Sequence, residues 1–268
     1  MSTSPAERFL ALVTGASSGI GLELASRFAV NGFDLVITAE DAELAAAAER
    51  LRRDGARVTA VRVDLAKPGG VDELYATVRA EGRPLSAAAL NAGVGAGGAF
   101  ATDTDLGDEL RLVDLNVRST VHLAKYVVRD MVGRNEGRIL FTSSIASTMP
   151  GAFQAVYNAS KSFVQSFALA LREELKDTGV TVTSLMPGPT DTEFFERADM
   201  LDTRVGQGPK DDPADVARQG FEALMSDDER VVAAGAKTKL QGQASHVLPD
   251  AVKAKMHRKM AEPGKGRS

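Results

Sequence analysis

A chain of 268 residues with 44% apolar side chains is long enough to bury one sizeable core, and such lengths are commonly single α/β domains. Thirty-two basic residues against 36 acidic ones give a formal net charge of -4, with no basic run before the last dozen positions, which sets nucleic acid aside as a partner. Cysteine is absent, and His122, His246 and His257 are scattered without ligand spacing, which argues against disulfides, thiolate chemistry and a zinc site.

The opening residues, Met-Ser-Thr-Ser-Pro-Ala-Glu-Arg, lack the charged start, apolar stretch and small-residue cleavage site of a secretory signal. The longest apolar run falls far short of a membrane span, so a cytoplasmic location is expected. Residues 9–13 read as a strand leading into Thr14-Gly15-Ala16-Ser17-Ser18-Gly19-Ile20-Gly21, then a helical stretch carrying Leu22, Ala25, Phe28 and Ala29. Strands follow at 33–38, 58–63 and 85–90, separated by helices at 42–53 and 65–80. The alternation continues with helix 106–132, strand 138–142, helix 154–176 and strand 180–185.

After Pro187-Gly188-Pro189 the pattern breaks into an irregular or partly helical lid, 190–210, containing Phe194, Phe195 and Met200. Asp212-Pro213 supplies an N-cap and a first-turn proline for a helix to 225. Residues 230–234 read as a seventh strand, 236–260 as helical and 263–268 as disordered. Strands alternating with helices of this length imply right-handed crossovers. The fold class is therefore α/β, a doubly wound parallel sheet of about seven strands with helices on both faces.

Gly15, Gly19 and Gly21, between a strand and a helix, let backbone N–H groups approach a pyrophosphate at the positive end of a helix. The spacing Thr14-Gly15-x-x-x-Gly19-x-Gly21 resembles the coenzyme motif of the short-chain dehydrogenases/reductases rather than the common Rossmann spacing. Asn91-Ala92-Gly93 after strand four resembles that family's structural motif beside the coenzyme, and Asn116 in Leu-Asn-Val matches the asparagine of its long helix. Ser144, with Tyr157-x-x-x-Lys161, matches its catalytic serine and Tyr-Lys pair, and Pro187-Gly188 with Thr190 and Thr192 matches its turn at the nicotinamide. The resemblance spans roughly residues 8 to 235 with the motifs in order. It implies a Rossmann-like catalytic domain over 1–235, with 236–268 as a helical extension and tail of the same domain.

Tyr157 and Lys161 are four apart on a predicted helix and share one face, beside an inward stripe of Val156, Phe163, Phe167 and Leu171. A free phenol has a pKa of about 10, so acting as a base near neutral pH requires about 3 to 4 kcal/mol of help, for which a lysine ammonium and an oxidised nicotinamide are suitable sources. By resemblance, Tyr157 exchanges the proton with the substrate oxygen, while Lys161 holds the nicotinamide ribose and depresses the phenol's pKa. Ser144 hydrogen-bonds the same oxygen, and Asn116 relays through water to Lys161. Ser143 is the adjacent rival of Ser144, and the thirteen-residue interval to Tyr157 favours Ser144. No Gly-x-Ser-x-Gly elbow surrounds either serine, which argues against a hydrolase.

The resemblance further places Gly15, Ser17, Ser18, Gly19, Ile20, Gly21, Asp64, Leu65, Asn91, Ala92 and Gly93 around the coenzyme, with Tyr157, Lys161, Pro187, Gly188, Thr190 and Thr192 at its nicotinamide end. Coenzyme choice is made at the end of strand two, here Ala39-Glu40-Asp41. Glu40 stands where NADP users often carry arginine, Ser18 is not basic, and two carboxylates repel a 2′-phosphate, so NAD is favoured over NADP. Asp64 resembles the acid that contacts the adenine, and serves equally as a helix-start cap. Ile145, Met149, Phe153, Phe194, Phe195 and Met200 suggest a small lipophilic alcohol or ketone, and equally serve as packing.

The two long helices resemble those through which the family forms homo-dimers and homo-tetramers. Residues 240–260, with Val247, Leu248, Val252 and Met256 among lysines and His257, form a basic amphipathic pattern expected to pack on the domain or a partner subunit, with a membrane surface as the less favoured reading. The alternative to an enzyme is a dinucleotide-binding sensor or scaffold that keeps the fold without turnover.

Overall fold

The computed structural model describes residues 8–233 and 249–266. Seven parallel strands form one sheet in the order β3-β2-β1-β4-β5-β6-β7: β1 Phe9–Thr14, β2 Phe33–Ala39, β3 Val58–Arg62, β4 Leu85–Leu90, β5 Gly137–Thr142, β6 Val180–Pro187 and β7 Arg230–Ala233. The strand order reverses between β1 and β4, so their carboxyl ends open a crevice there, the place where open α/β sheets bind ligands. Helices α1 Gly19–Val30, α2 Leu44–Arg53 and α9 Pro213–Met225 cover one face; α3 Gly70–Ala80, α5 Thr120–Arg134 and α6 Ala155–Glu174 cover the other. Because both faces are covered, β2 is buried at every residue, and its sequence is a continuous rather than an alternating apolar run, interrupted by Asp34 and Thr38. Phe28 of α1 meets Phe33 of β2 and Phe221 of α9 edge-on, at 5.1 and 5.2 Å between centroids, which locks the first face together.

Several elements depart from the sequence reading. The helix expected over 106–132 is α4 Leu106–Val113, a π-helical turn Asp114–Ser119, and then α5, so one register change falls where Asn116 lies. The third helix starts at Gly70, not at 65, because Asp64 organises a turn first: its carboxylate accepts from Ala66 N at 2.9 Å and its carbonyl from Lys67 N at 3.2 Å. The lid carries two short helices, α7 Phe194–Arg197 and α8 Arg204–Gln207, and Asp212 caps α9 through Ala214 N at 2.7 Å. Val247 and Leu248 lie outside the described residues.

The last described helix, α10 Asp250–Ala261, packs on the lid through Ala261 and on the loop before α6 through His257, whereas Val252, Met256 and Met260 stay exposed along one line. Val252 and Met256 of the expected apolar stripe thus do not face this chain's own domain. Residues 263–266, expected to be disordered, instead wrap the lid, since Gly264 N and Gly266 N donate to the Asp202 carboxylate and carbonyl at 2.6 and 2.7 Å. Among the described residues no helix is long and apolar enough to cross a membrane.

At the opposite end of β2 from the crevice, the wholly buried Asp34 faces Arg8, Arg57 and Arg83 at 3.1, 2.8 and 2.9 Å. Burial pushes its pKa up, but hydrogen bonds from Arg57 and Arg83 outweigh that and hold it below the usual carboxylate value. Asp34→Asn is expected to cost about 3 kcal/mol at neutral pH, measured by denaturant unfolding. The deficit shrinks as pH falls through the folded pKa of Asp34, because the parent then loses the charge as well.

Candidate active site

At the crevice, Gly15 and Gly19 adopt left-handed backbone, with φ of 67° and 54°. A Cβ on Gly21 would lie 1.9 Å from Gly15 O and 2.6 Å from Asn91 Nδ2, so α1 can begin this close to the turn only with glycine there. Ser18 stands at the N-cap of α1 without a side-chain cap bond, and the first turn carries no acid, which leaves the helix's positive end to an anion. Ser17 Oγ donates to Asp41 Oδ2 at 2.9 Å, tying the turn to the end of β2, and Ile20 packs into the core. Asn91 N and Ala92 N both donate to Thr14 Oγ1 at 2.9 Å, while Asn91 Oδ1 accepts from Thr142 Oγ1 at 3.0 Å. Asn91 and Ala92 therefore join the carboxyl ends of β1, β4 and β5. Pro187 ends β6, Gly188 N donates to Ala233 O at 3.2 Å, and Thr190 Oγ1 donates to Gly188 O at 2.9 Å. Thr192 closes the cradle: its Cγ2 would be 2.9 Å from a Cβ on Gly19. The residues present fit a dinucleotide, with small backbone-lined space at the pyrophosphate position and a positive helix end facing it.

Tyr157 and Lys161, one turn apart on α6, are both buried, and Lys161 Nζ lies 5.9 Å from the centre of the Tyr157 ring. The Ser144 side chain accepts from Ala146 N at 3.1 Å and lies on the side of the Tyr157 hydroxyl, whose pKa it lowers. Ser143 Oγ instead donates to the Lys161 carbonyl at 3.0 Å, so of the two serines only Ser144 faces the phenol. Asn116 sits within the π turn. Its amide donates to Val94 O at 2.9 Å and Ser160 Oγ at 3.0 Å and accepts from Val94 N at 2.9 Å, which stitches the segment after β4 to α6. It makes no direct bond to Lys161; a Cβ on Gly93 would lie 3.1 Å from both Asn116 Oδ1 and Lys161 Nζ.

The electrostatics of the protein alone run against the expectation of a lowered phenol pKa. Burial pushes Tyr157 up to about 12, only partly offset by Ser144, and burial pushes Lys161 down to about 8. In so dry a site neither charge is favoured, and Lys161 directs its ammonium to Thr142 O at 3.0 Å. A lysine that releases its proton near 8 when folded and near 10.5 when unfolded makes folding more favourable as pH rises between those values, because the unfolded chain then binds the extra proton. Relative to Lys161→Met, the parent should therefore gain about 3 kcal/mol of stability from pH 8 to 10.5, read by denaturant unfolding across that range.

The lid covers this group. The Phe194 ring lies 5.1 Å from that of Tyr157, and a Cβ on Gly95 would meet Phe194 at 2.4 Å, one on Gly97 Met200 at 2.5 Å. The glycines at 95 and 97 are thus seats for the lid, which the sequence reading missed although the run Gly93-Val94-Gly95-Ala96-Gly97-Gly98 was visible. Phe195 and Met200 pack with Ala198 and Ala261 in a small core of their own, whereas Ile145 and Met149 flank the site half-exposed. His257 Nδ1 lies 2.9 Å from Ala152 O and Arg258 covers the Phe153 ring, so α10 braces the loop that enters α6.

At the far end of the crevice, Glu40 and Asp64 are not bare. Arg111 of α4 donates one terminal nitrogen to Glu40 and the other to Asp64 Oδ2 at 2.9 Å, and Arg62 Nε donates to the Glu40 carbonyl at 3.0 Å. Burial pushes the Asp64 pKa up, but hydrogen bonds from Arg111 and Ala66 bring it below the ordinary value. Of the two carboxylates expected to repel a 2′-phosphate, Glu40 shares with Asp64 a cation that comes from a distant helix, and Asp41 accepts from Ser17 Oγ. Leu65 is buried in the core beneath it.

A parallel sheet with a glycine cradle at its switch point and a buried Tyr-Lys pair beside it defines a dinucleotide-dependent oxidoreductase class. Residues 10–200 match the family described as short chain dehydrogenase. The chain is 33% identical over 180 residues to the NADP-dependent 3-hydroxy acid dehydrogenase of Salmonella typhi, covering 67% of this chain and 71% of that protein. It is 35% identical over 190 residues to sulfoacetaldehyde reductase 2 of Chromohalobacter salexigens, covering 69% and 74%. Similar solved structures include a short-chain dehydrogenase from Sphingobium yanoikuyae in complex with NADPH, with TM-score 0.77, 29% identity and coverage of 90% of this chain and 96% of that one. Another is a short-chain dehydrogenase/reductase from Burkholderia phymatum in complex with NAD, with TM-score 0.81, 26% identity and coverage of 91% and 95%. The chain belongs to the short-chain dehydrogenase family and is an oxidoreductase acting on a CH–OH or C=O group with NAD(P).

Proposed function

We propose that this chain exchanges hydride between the nicotinamide coenzyme and a small lipophilic alcohol or ketone, with Tyr157 as general acid and base assisted by Lys161 and Ser144. The observation that carries this reading is the grouping of buried Tyr157, Lys161 and Ser144 at the carboxyl end of β5, with the Lys161 Nζ 5.9 Å from the centre of the Tyr157 ring. The bound nicotinamide supplies or accepts the hydride. In the reducing direction Tyr157 gives its proton to the substrate oxygen, to which Ser144 donates as well. Lys161 as an ammonium stabilises the phenolate left behind, and in oxidation the same groups run in reverse. Asn116 holds the Val94 segment against α6 and so fixes the wall around Lys161. Phe194 must move off Tyr157 to admit substrate, and its apolar ring, with Ile145 and Met149, favours a lipophilic group there.

Gly15, Ser17, Ser18, Gly19, Ile20, Gly21, Asn91, Ala92 and Gly93 would hold the pyrophosphate and adjoining ribose, Asp64 and Leu65 the adenine side, and Pro187, Gly188, Thr190 and Thr192 the carboxamide end. NAD is the favoured coenzyme, supported by Glu40 at the end of β2 and by the absence of a basic residue at position 18. Residues 1–235 form the catalytic domain and 236–268 its extension, in a cytoplasmic homo-oligomer. Exposed Leu106, Leu110 and Val113 of α4 and Phe163 of α6 support pairing of copies through these helices.

Titrating the purified protein with NADH and NADPH, by nicotinamide fluorescence and thermal shift, tests the reading without a known substrate. Tighter NADH binding, followed by turnover in a screen of apolar ketones and alcohols, is the expected result. Binding of neither coenzyme overturns the assignment, and binding without turnover favours a sensor.

A further inference from the structure

Resting on the NAD reading above, we infer that Arg111 is a positioning residue for coenzyme choice, holding the Glu40 carboxylate at the adenosine end of the crevice. Three elements distant in sequence meet there: Glu40 after β2, Asp64 after β3 and Arg111 on α4. Glutamate on a loop has three freely rotating side-chain bonds, so by itself it would seldom hold one orientation at a ribose. Arg111 removes that freedom. Its planar fork reaches Glu40 with one nitrogen while the other is anchored on Asp64, which is only 12% exposed and is itself fixed by Ala66 N.

The anchor is asymmetric, and that determines the direction of action. Glu40 is 47% exposed and Asp64 is not, so Arg111 is held by Asp64 and in turn holds Glu40. Arg62 steadies the same residue through the Glu40 carbonyl and leaves its carboxylate oriented by Arg111. The π turn that begins at Asp114 fixes the rotation of α4 relative to α5, so Arg111 faces this mouth while Asn116 faces Ser160 of α6. The same cation also offsets the two carboxylates. Discrimination between the coenzymes then depends on where Glu40 is held, since its oxygens accept from ribose hydroxyls only over a short range, whereas exposed charges here are screened by salt.

The experiment measures dissociation constants for NADH and NADPH with the full chain carrying Arg111→Met, Arg111→Lys, Glu40→Gln and the double change Glu40→Gln with Arg111→Met, each checked for its unfolding midpoint. With the parent preferring NADH, Arg111→Met is expected to weaken NADH about tenfold with little change for NADPH. Arg111→Lys should recover part of the loss. The double variant should bind NADH no more weakly than the worse single one, the signature of action through Glu40. A parent that prefers NADH while Arg111→Met is unchanged, or while the two losses simply add, overturns the inference and leaves the NAD reading intact. A parent that prefers NADPH removes the NAD reading and the inference with it, and a selective loss of NADPH in Arg111→Met would then mark Arg111 as a direct phosphate partner.

Discussion

Tyr157→Phe is expected to lower turnover by about a thousandfold, in the range general acid-base catalysis supplies, while leaving coenzyme affinity within about twofold. The substitution removes one oxygen from a ring that is otherwise held by packing: the side chain is buried and its ring lies 5.1 Å from that of Phe194. Its stability cost should be small, because Ser144 Oγ still accepts from Ala146 N after the change. A large loss of turnover with intact coenzyme binding therefore isolates the proton-transfer step. Turnover that survives unchanged would mean that another group protonates the substrate, and Tyr157 would be only a packing residue of α6.

Gly21→Ala should be as damaging to the cradle as Tyr157→Phe is to the chemistry. The new Cβ would lie 1.9 Å from Gly15 O, a backbone atom of the turn, so α1 must withdraw from the turn rather than a flexible side chain moving aside. Overpacking of this kind costs about 1–3 kcal/mol, and retreat of the helix end moves its N–H groups from the anion site. We expect a lower unfolding midpoint and loss of NADH binding by about a hundredfold or more. Gly133→Ala is the matched control, because Gly133 lies within α5 with nothing within 4 Å of an added Cβ. It should leave binding unchanged and stabilise the fold by up to about 1 kcal/mol.

Much of the frame was legible because buried parallel strands write themselves as short apolar runs bounded by turns. Strand 85–90 is β4 with the same ends, and 33–38 falls one residue short of β2. The glycine turn, Asn91, Ser144, Tyr157 and Lys161 could be read together because they resemble one family's motifs in order, and the fold gathers them beside the carboxyl ends of the central strands β1, β4 and β5. Interactions that depend on residues meeting across the fold could not be read. Arg111 lies 71 residues from Glu40 and 47 from Asp64, and nothing local marks it. The π turn at Asp114–Ser119 leaves the apolar pattern of its helix nearly unaltered, so the sequence reads as one helix through it. In the tail, α10 docks on its own chain by the imidazole of His257 and the small Ala261, residues the apolar pattern does not single out, while Val252 and Met256 stay exposed. The opposing effect of burial on the phenol and on the ammonium, which in the protein alone acts on both partners, depends on how deeply α6 packs and has no mark in the sequence.

The most direct test of the central claim is to supply NADH carrying deuterium at C4 of the nicotinamide, in separate reactions for each of its two faces, with a ketone accepted in the screen, and to locate the label in the alcohol by mass spectrometry. The account predicts deuterium on the carbinol carbon from one face and not the other, with Tyr157→Phe slowing its appearance. Consumption of the coenzyme without label on that carbon would contradict it.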